Sequence, residues 1–90
     1  MPKYVIERSI PGAGGFSPDE LADITRTSNG VLTEMAPRVQ WVQSYVTADK
    51  IFCIYIAEDT ELIYEHARGA GLPANAGRQV GTIIDPTTGE

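Results

Sequence analysis

Between Val39 and Ala57 the chain reads VQWVQSYVTADKIFCIYIA, dense in β-branched and aromatic residues with one polar break at Ala48-Asp49. That pattern predicts two strands, Val39–Thr47 and Lys50–Ala57, folded on a tight turn. A turn of even length sets Thr47 opposite Lys50, Val46 opposite Ile51 and Ser44 opposite Cys53. Alternation then sorts the side chains, because successive strand residues point to opposite faces. Val42, Ser44, Val46, Ile51, Cys53 and Tyr55 share one face. Trp41, Gln43, Tyr45, Phe52, Ile54 and Ile56 share the other. Both faces are largely apolar, so the hairpin needs cover on both sides.

The flanking segments carry their own patterns. Lys3–Ile10 alternates loosely and reads as a strand. Pro11–Gly15 is rich in glycine, but the Lys-Ser/Thr ending of a phosphate loop is missing, and the plain expectation is a flexible crossover. Ser17-Pro18-Asp19-Glu20 has the form of a capping box, with Phe16 and Leu21 placed as a hydrophobic staple. Leu21, Ile24, Ser28, Val31, Leu32 and Met35 then recur at helical spacing. Gly30 weakens that helix without ending it, and Pro37 closes it. Asp59 or Thr60 caps a second helix with Leu62, Ile63, His66, Ala67 and Ala70 on one side, stopped by Gly71 and Pro73. Ala74–Arg78 reads as a loop, Gln79–Ile84 as a short last strand and Asp85–Glu90 as a loose tail.

The order strand, helix, strand, strand, helix, strand predicts an α+β, ferredoxin-like βαββαβ fold. It is a four-stranded antiparallel sheet with two helices on one face. Right-handed crossovers set the spatial order 4-1-3-2. Ninety residues suit one domain over 1–90, with its core in 3–85 and a C-terminal tail over 86–90. The helices cover only one face, so a homodimer is expected through Trp41, Tyr45, Phe52 and Ile54 of the other.

Charge narrows the partners. The net charge of −5 argues against nucleic acid, which needs concentrated Lys and Arg. No apolar run approaches the roughly 20 residues that span a membrane. The N-terminal MPKYVIERS does not read as a signal segment, so a cytoplasmic protein is expected. With the single Cys53, neither an intrachain disulfide nor a paired-thiol zinc motif is available.

Candidate chemistry centres on His66, the one histidine, on the inward stripe of the second helix. It reads either as a hydrogen-bonded core imidazole or as a metal ligand or proton carrier. Cys53 projects into the same layer and is otherwise a small buried hydrophobe. Glu7 lies mid-strand, where a carboxylate is costly unless paired, coordinated or solvated at an edge. A thiol, an imidazole and a carboxylate together favour nickel, copper or zinc over magnesium or calcium. Asp49 is best explained as turn chemistry and is alternatively an oxygen ligand. Ser44 and Tyr55 could lend hydroxyls to a bound ligand.

The residues also resemble a known family. WVQSYVTADKIFCIY from Trp41 to Tyr55, EHA from Glu65 to Ala67 and GLPA from Gly71 to Ala74 are similar to the nickel-responsive ferredoxin-like family. Its members are small bacterial proteins long described as a domain of unknown function. YVIER from Tyr4 to Arg8 and VGTIID from Val80 to Asp85 extend the resemblance over nearly the whole chain. It implies a dimeric α+β barrel that binds nickel. The leading expectation is thus a non-enzymatic nickel-binding protein for sequestration or sensing, with Glu7, Asp49, Cys53 and His66 as candidate ligands. The alternative is a cofactor-free barrel of the monooxygenase or isomerase kind, in which His66 acts as acid or base and Tyr55 or Glu7 orients a small substrate.

Overall fold

The computed structural model describes residues 1–90. Six main elements follow one another: β1 (Lys3–Ser9), α1 (Pro18–Met35), β2 (Val39–Val46), β3 (Lys50–Ala57), α2 (Thr60–Ala70) and β4 (Ala76–Gln79). The sheet runs β2-β3-β1-β4, and each neighbouring pair is antiparallel. This is the expected ferredoxin-like order, read from the opposite edge. Both helices pack on one face, over a core that includes Tyr4, Ile6, Val39, Tyr55, Ala57 and Ile63.

Local chemistry accounts for the helix ends. Ser17 Oγ accepts the Glu20 N–H at 3.1 Å, and Glu20 Oε1 accepts the Ser17 N–H at 3.0 Å. Asp59 Oδ1 accepts the Leu62 N–H at 3.1 Å and so opens α2. Gly71 closes α2 with φ 69°, a left-handed conformation in which a Cβ is strained.

Three expectations are corrected. The hairpin pairs as expected near its tip, with Ser44 opposite Cys53 and Val46 opposite Ile51, but the register shifts between Trp41 and Gln43. Val42 is the extra residue of a β-bulge and is left exposed. A bulge inserts one residue and reverses the parity beyond it. Trp41 therefore lies opposite Tyr55 on the helix side. It is not part of the open face, and its indole N–H donates to Ser44 Oγ at 2.9 Å.

The last strand lies at Ala76–Gln79, not at Gln79–Ile84. Ile6 sits opposite Gly77, and a Cβ there would fall 2.8 Å from Tyr64 Oη and 3.0 Å from Ile6 Cδ1. The segment that fits beside β1 is thus the one with a glycine in it, while Ile83 and Ile84 stand exposed. Pro86–Gly89 forms a 3-10 turn whose Asp85 side chain accepts the Thr87 N–H at 2.9 Å.

The glycine-rich crossover is likewise ordered. Ala13–Gly15 is a short 3-10 turn with Ala13 buried. It is bonded to the tip of the β2–β3 hairpin by the Gly14 N–H to the Ala48 carbonyl and the Gly12 N–H to Asp49 Oδ1, both at 3.0 Å.

Candidate functional site

The sheet's alternation decides what lies beneath the helices. Tyr4, Ile6 and Arg8 of β1 are buried, as are Ile51, Cys53 and Tyr55 of β3. Lys3, Val5 and Glu7 face the other way, with Phe52, Ile54 and Ile56. The charged group that enters the core is therefore Arg8, which is 1% exposed. Its Nε–H points to Cys53 Sγ at 3.4 Å, one Nη donates to Tyr55 Oη at 3.0 Å, and the other donates to the Pro73 carbonyl. Burial works against the guanidinium's charge, yet Tyr55 and Cys53 beside it hold its pKa above the ordinary value. Burial pushes the Tyr55 phenol up to about 12 against the opposing pull of Arg8, so it stays protonated near neutrality.

A cavity of about 70 Å³ opens beside these groups, between α1 and the sheet. Arg8, Ser44, Cys53 and Tyr55 supply its sheet side, and Leu21, Ile24 and Ser28 of α1 close it above. Ser44 and Tyr55, expected as ligand-binding hydroxyls, are both in this wall.

His66 is fully buried on α2 behind the cavity, and Ser28, not His66, lines it. Ser28 Oγ lies 3.1 Å from His66 Nε2, and the imidazole packs against the Tyr55 ring with centroids 5.5 Å apart. Its Nδ1 is buried without a hydrogen-bond partner. Burial lowers the imidazole's pKa, the Ser28 hydrogen bond opposes this, and the charge of Arg8 adds to the lowering.

The four candidate metal ligands do not converge. Cys53 and His66 lie under the helices, in a layer that already holds a cation, Arg8. Glu7 points to the open face, where its Oε1 is 3.3 Å from Lys50 Nζ. Asp49 sits at the hairpin tip and accepts the Gly12 N–H. No group of three or more His, Cys, Asp or Glu side chains is placed to hold an ion. One chain by itself does not fit a nickel ion. The residue missed from the sequence is Arg8, although the i, i+2 spacing of Tyr4, Ile6 and Arg8 was a signal for it.

The fold defines the class first: a small α+β, ferredoxin-like domain with a charged core beneath its helices. A family model described as nickel responsive protein SCO4226-like matches residues 4–80, and the chain belongs to that family. Among solved structures it is similar to SCO4226 from Streptomyces coelicolor A3(2), with a TM-score of 0.75 at 16% identity. The match covers 91% of this chain and 99% of that one, and at that identity it shows a shared fold. No curated protein matches the chain. No helix is long and apolar enough to cross a membrane.

Proposed function

We propose that this chain is a non-enzymatic, nickel-responsive protein that binds the ion as a homodimer, with ligands drawn from both copies. Membership of the nickel-responsive family over residues 4–80 carries the reading. Two features of the chain support the shared site. Its accessible candidate ligands, Glu7 and Asp49, lie apart on one chain, and a second copy would bring a second pair toward one coordination shell. Its open face presents Val5, Tyr45, Phe52, Ile54 and Ile56, an apolar set of the kind that seals against a twin. Glu7 lies on that face and Asp49 at its hairpin edge, within reach of a second molecule. Cys53 and His66 are enclosed.

Sedimentation and calorimetric titration with nickel chloride test this on the wild type, Phe52→Asp, Glu7→Gln and His66→Ala. The wild type is expected to be a dimer that takes up nickel. Phe52→Asp is expected to be a monomer without nickel heat, Glu7→Gln to bind more weakly, and His66→Ala to keep its heat. A wild type that gives no heat overturns the function. A Phe52→Asp monomer that binds as the wild type does overturns the shared site.

One observation favours a second reading, a small organic molecule held between the sheet and the helices. The cavity bordered by Ser44 and Tyr55 is where such a molecule would sit. With Ser28 between His66 and that cavity, the role of His66 in this reading is to orient Ser28, not to exchange protons with a substrate.

A further inference from the structure

Arg8 is an ionised side chain held out of water without a carboxylate to pair with. None of its three hydrogen-bond partners, Cys53, Tyr55 and the Pro73 carbonyl, is a carboxylate. The two ion pairs of the chain are Arg26–Asp23 and Lys50–Glu7, and neither involves it. The chain has 12 acidic residues, so carboxylates are not scarce; none is within ion-pair distance of Arg8. Buried guanidinium groups are ordinarily matched by a carboxylate or phosphate, because leaving the charge alone in a poorly polarisable interior is costly. A guanidinium carries five N–H bonds. Three are used here, which leaves two for an acceptor from outside.

The surroundings of Arg8 set the class of that acceptor. It lines the cavity under α1, much of whose remaining wall is hydrocarbon, Ile10, Leu21, Ile24, Ile51 and Leu72 among it. An anion that met only Arg8 and Tyr55 at one end would meet hydrocarbon elsewhere. The protonated Tyr55 hydroxyl accepts from Arg8 and stands beside it at the polar end of the cavity. At roughly 10–15 Å³ for one water-sized occupant, a cavity of about 70 Å³ accommodates about five to seven non-hydrogen atoms. Val46, which also lines it, is 42% exposed and marks where the cavity meets solvent.

We propose that the cavity is a binding site for a small aliphatic monocarboxylate, its carboxylate on Arg8 and Tyr55 and its branched or short tail among Leu21, Ile24 and Ile51. This rests on the second reading above and is independent of nickel. A metal cation is the wrong ligand for this position, since it would share the layer with the guanidinium. Planar, two-pronged recognition of a carboxylate is what a guanidinium does best.

The test uses the full chain, isovalerate, the uncharged isostere isovaleramide and inorganic phosphate. Saturation-transfer NMR reads binding, and amide shifts of Arg8, Cys53 and Tyr55 locate it. Isovalerate is expected to bind there at least about tenfold more tightly than isovaleramide or phosphate, the usual scale for a charge-assisted hydrogen bond. Arg8→Met replaces the charge with a side chain of similar length and is expected to abolish isovalerate binding. Ile24→Phe leaves Arg8 untouched, fills the cavity and is expected to do the same, so the test stands even if Arg8→Met does not fold. Equal binding of isovalerate and isovaleramide overturns the anion assignment while leaving a small-molecule pocket. Phosphate binding as tightly as isovalerate overturns the aliphatic part. Binding that survives Ile24→Phe, or no binding by either organic probe, overturns the site itself.

Discussion

Replacing Gly14 with alanine tests how firmly the crossover is fastened to the hairpin. A Cβ on Gly14 would lie 2.9 Å from Ala48 Cα and 3.1 Å from the Thr47 carbonyl oxygen. Both are backbone atoms, so no side-chain rotation relieves the contact. The turn must lift, which stretches the 3.0 Å bond from the Gly14 N–H to the Ala48 carbonyl. Overpacking of this kind costs about 1–3 kcal/mol, and a weakened hydrogen bond adds up to about 1 kcal/mol. Alanine also restricts the unfolded chain, which returns about 0.4–1 kcal/mol. The expected net loss is about 1–3 kcal/mol, or about 5–20 °C in melting temperature for a domain this small. Gly15→Ala is the internal control. No atom lies within 4 Å of its added Cβ and its φ is not left-handed, so it is expected to be neutral or slightly stabilising. Urea unfolding followed by Trp41 fluorescence, at one fixed protein concentration, measures both. Equal midpoints for the two variants would refute the clamp and restore a mobile crossover.

Two further outcomes are expected. Ser17→Ala removes the acceptor for the Glu20 N–H at the start of α1 and is expected to cost about 1 kcal/mol in the same urea assay; no change would mean the box is idle. His66 is held below its ordinary 6.5 by burial, so the unfolded chain takes up a proton that the native chain refuses as pH falls below that value. This contribution to stability is therefore complete above about pH 6.5 and is lost below it, at no more than about 1.4 kcal/mol per pH unit. Ser28, Tyr55 and Arg8 are the polar and charged groups against the imidazole, so His66→Gln should flatten the difference between pH 5 and pH 8, in about that range; an unchanged slope refutes the assignment.

Much of the fold was legible because local rules and tertiary demands agree. The capping box at Ser17, the Asp59 cap, the Gly71 stop and the paired hairpin tip all form where the residues specify them. The departures occur where tertiary contact overrides propensity. Val80–Ile84 is richer in β-branched residues than Ala76–Gln79, yet the latter pairs with β1 because Gly77 leaves room for Tyr64 and Ile6. Asp85-Pro86-Thr87-Thr88 carried a readable cap signal, an acidic residue followed by Pro and hydroxyl side chains, and the turn it makes needs no contact with the core.

The site was harder to read, and parity explains why. Faces assigned by strict alternation are right for every residue of β3 and wrong for Trp41 and Val42, because a bulge reverses alternation and VQWVQS does not announce one. Glu7 and Arg8 differ. The same alternation that buries Tyr4 and Ile6 must bury Arg8 and turn Glu7 outward, so the information was present in YVIER. An inward carboxylate at Glu7 would make a cation site; the neighbouring residue, one position on, carries the opposite sign. A guanidinium beside Cys53 and Tyr55 repels metal ions and attracts anions, so one residue of parity changes the class of ligand that the core can accept.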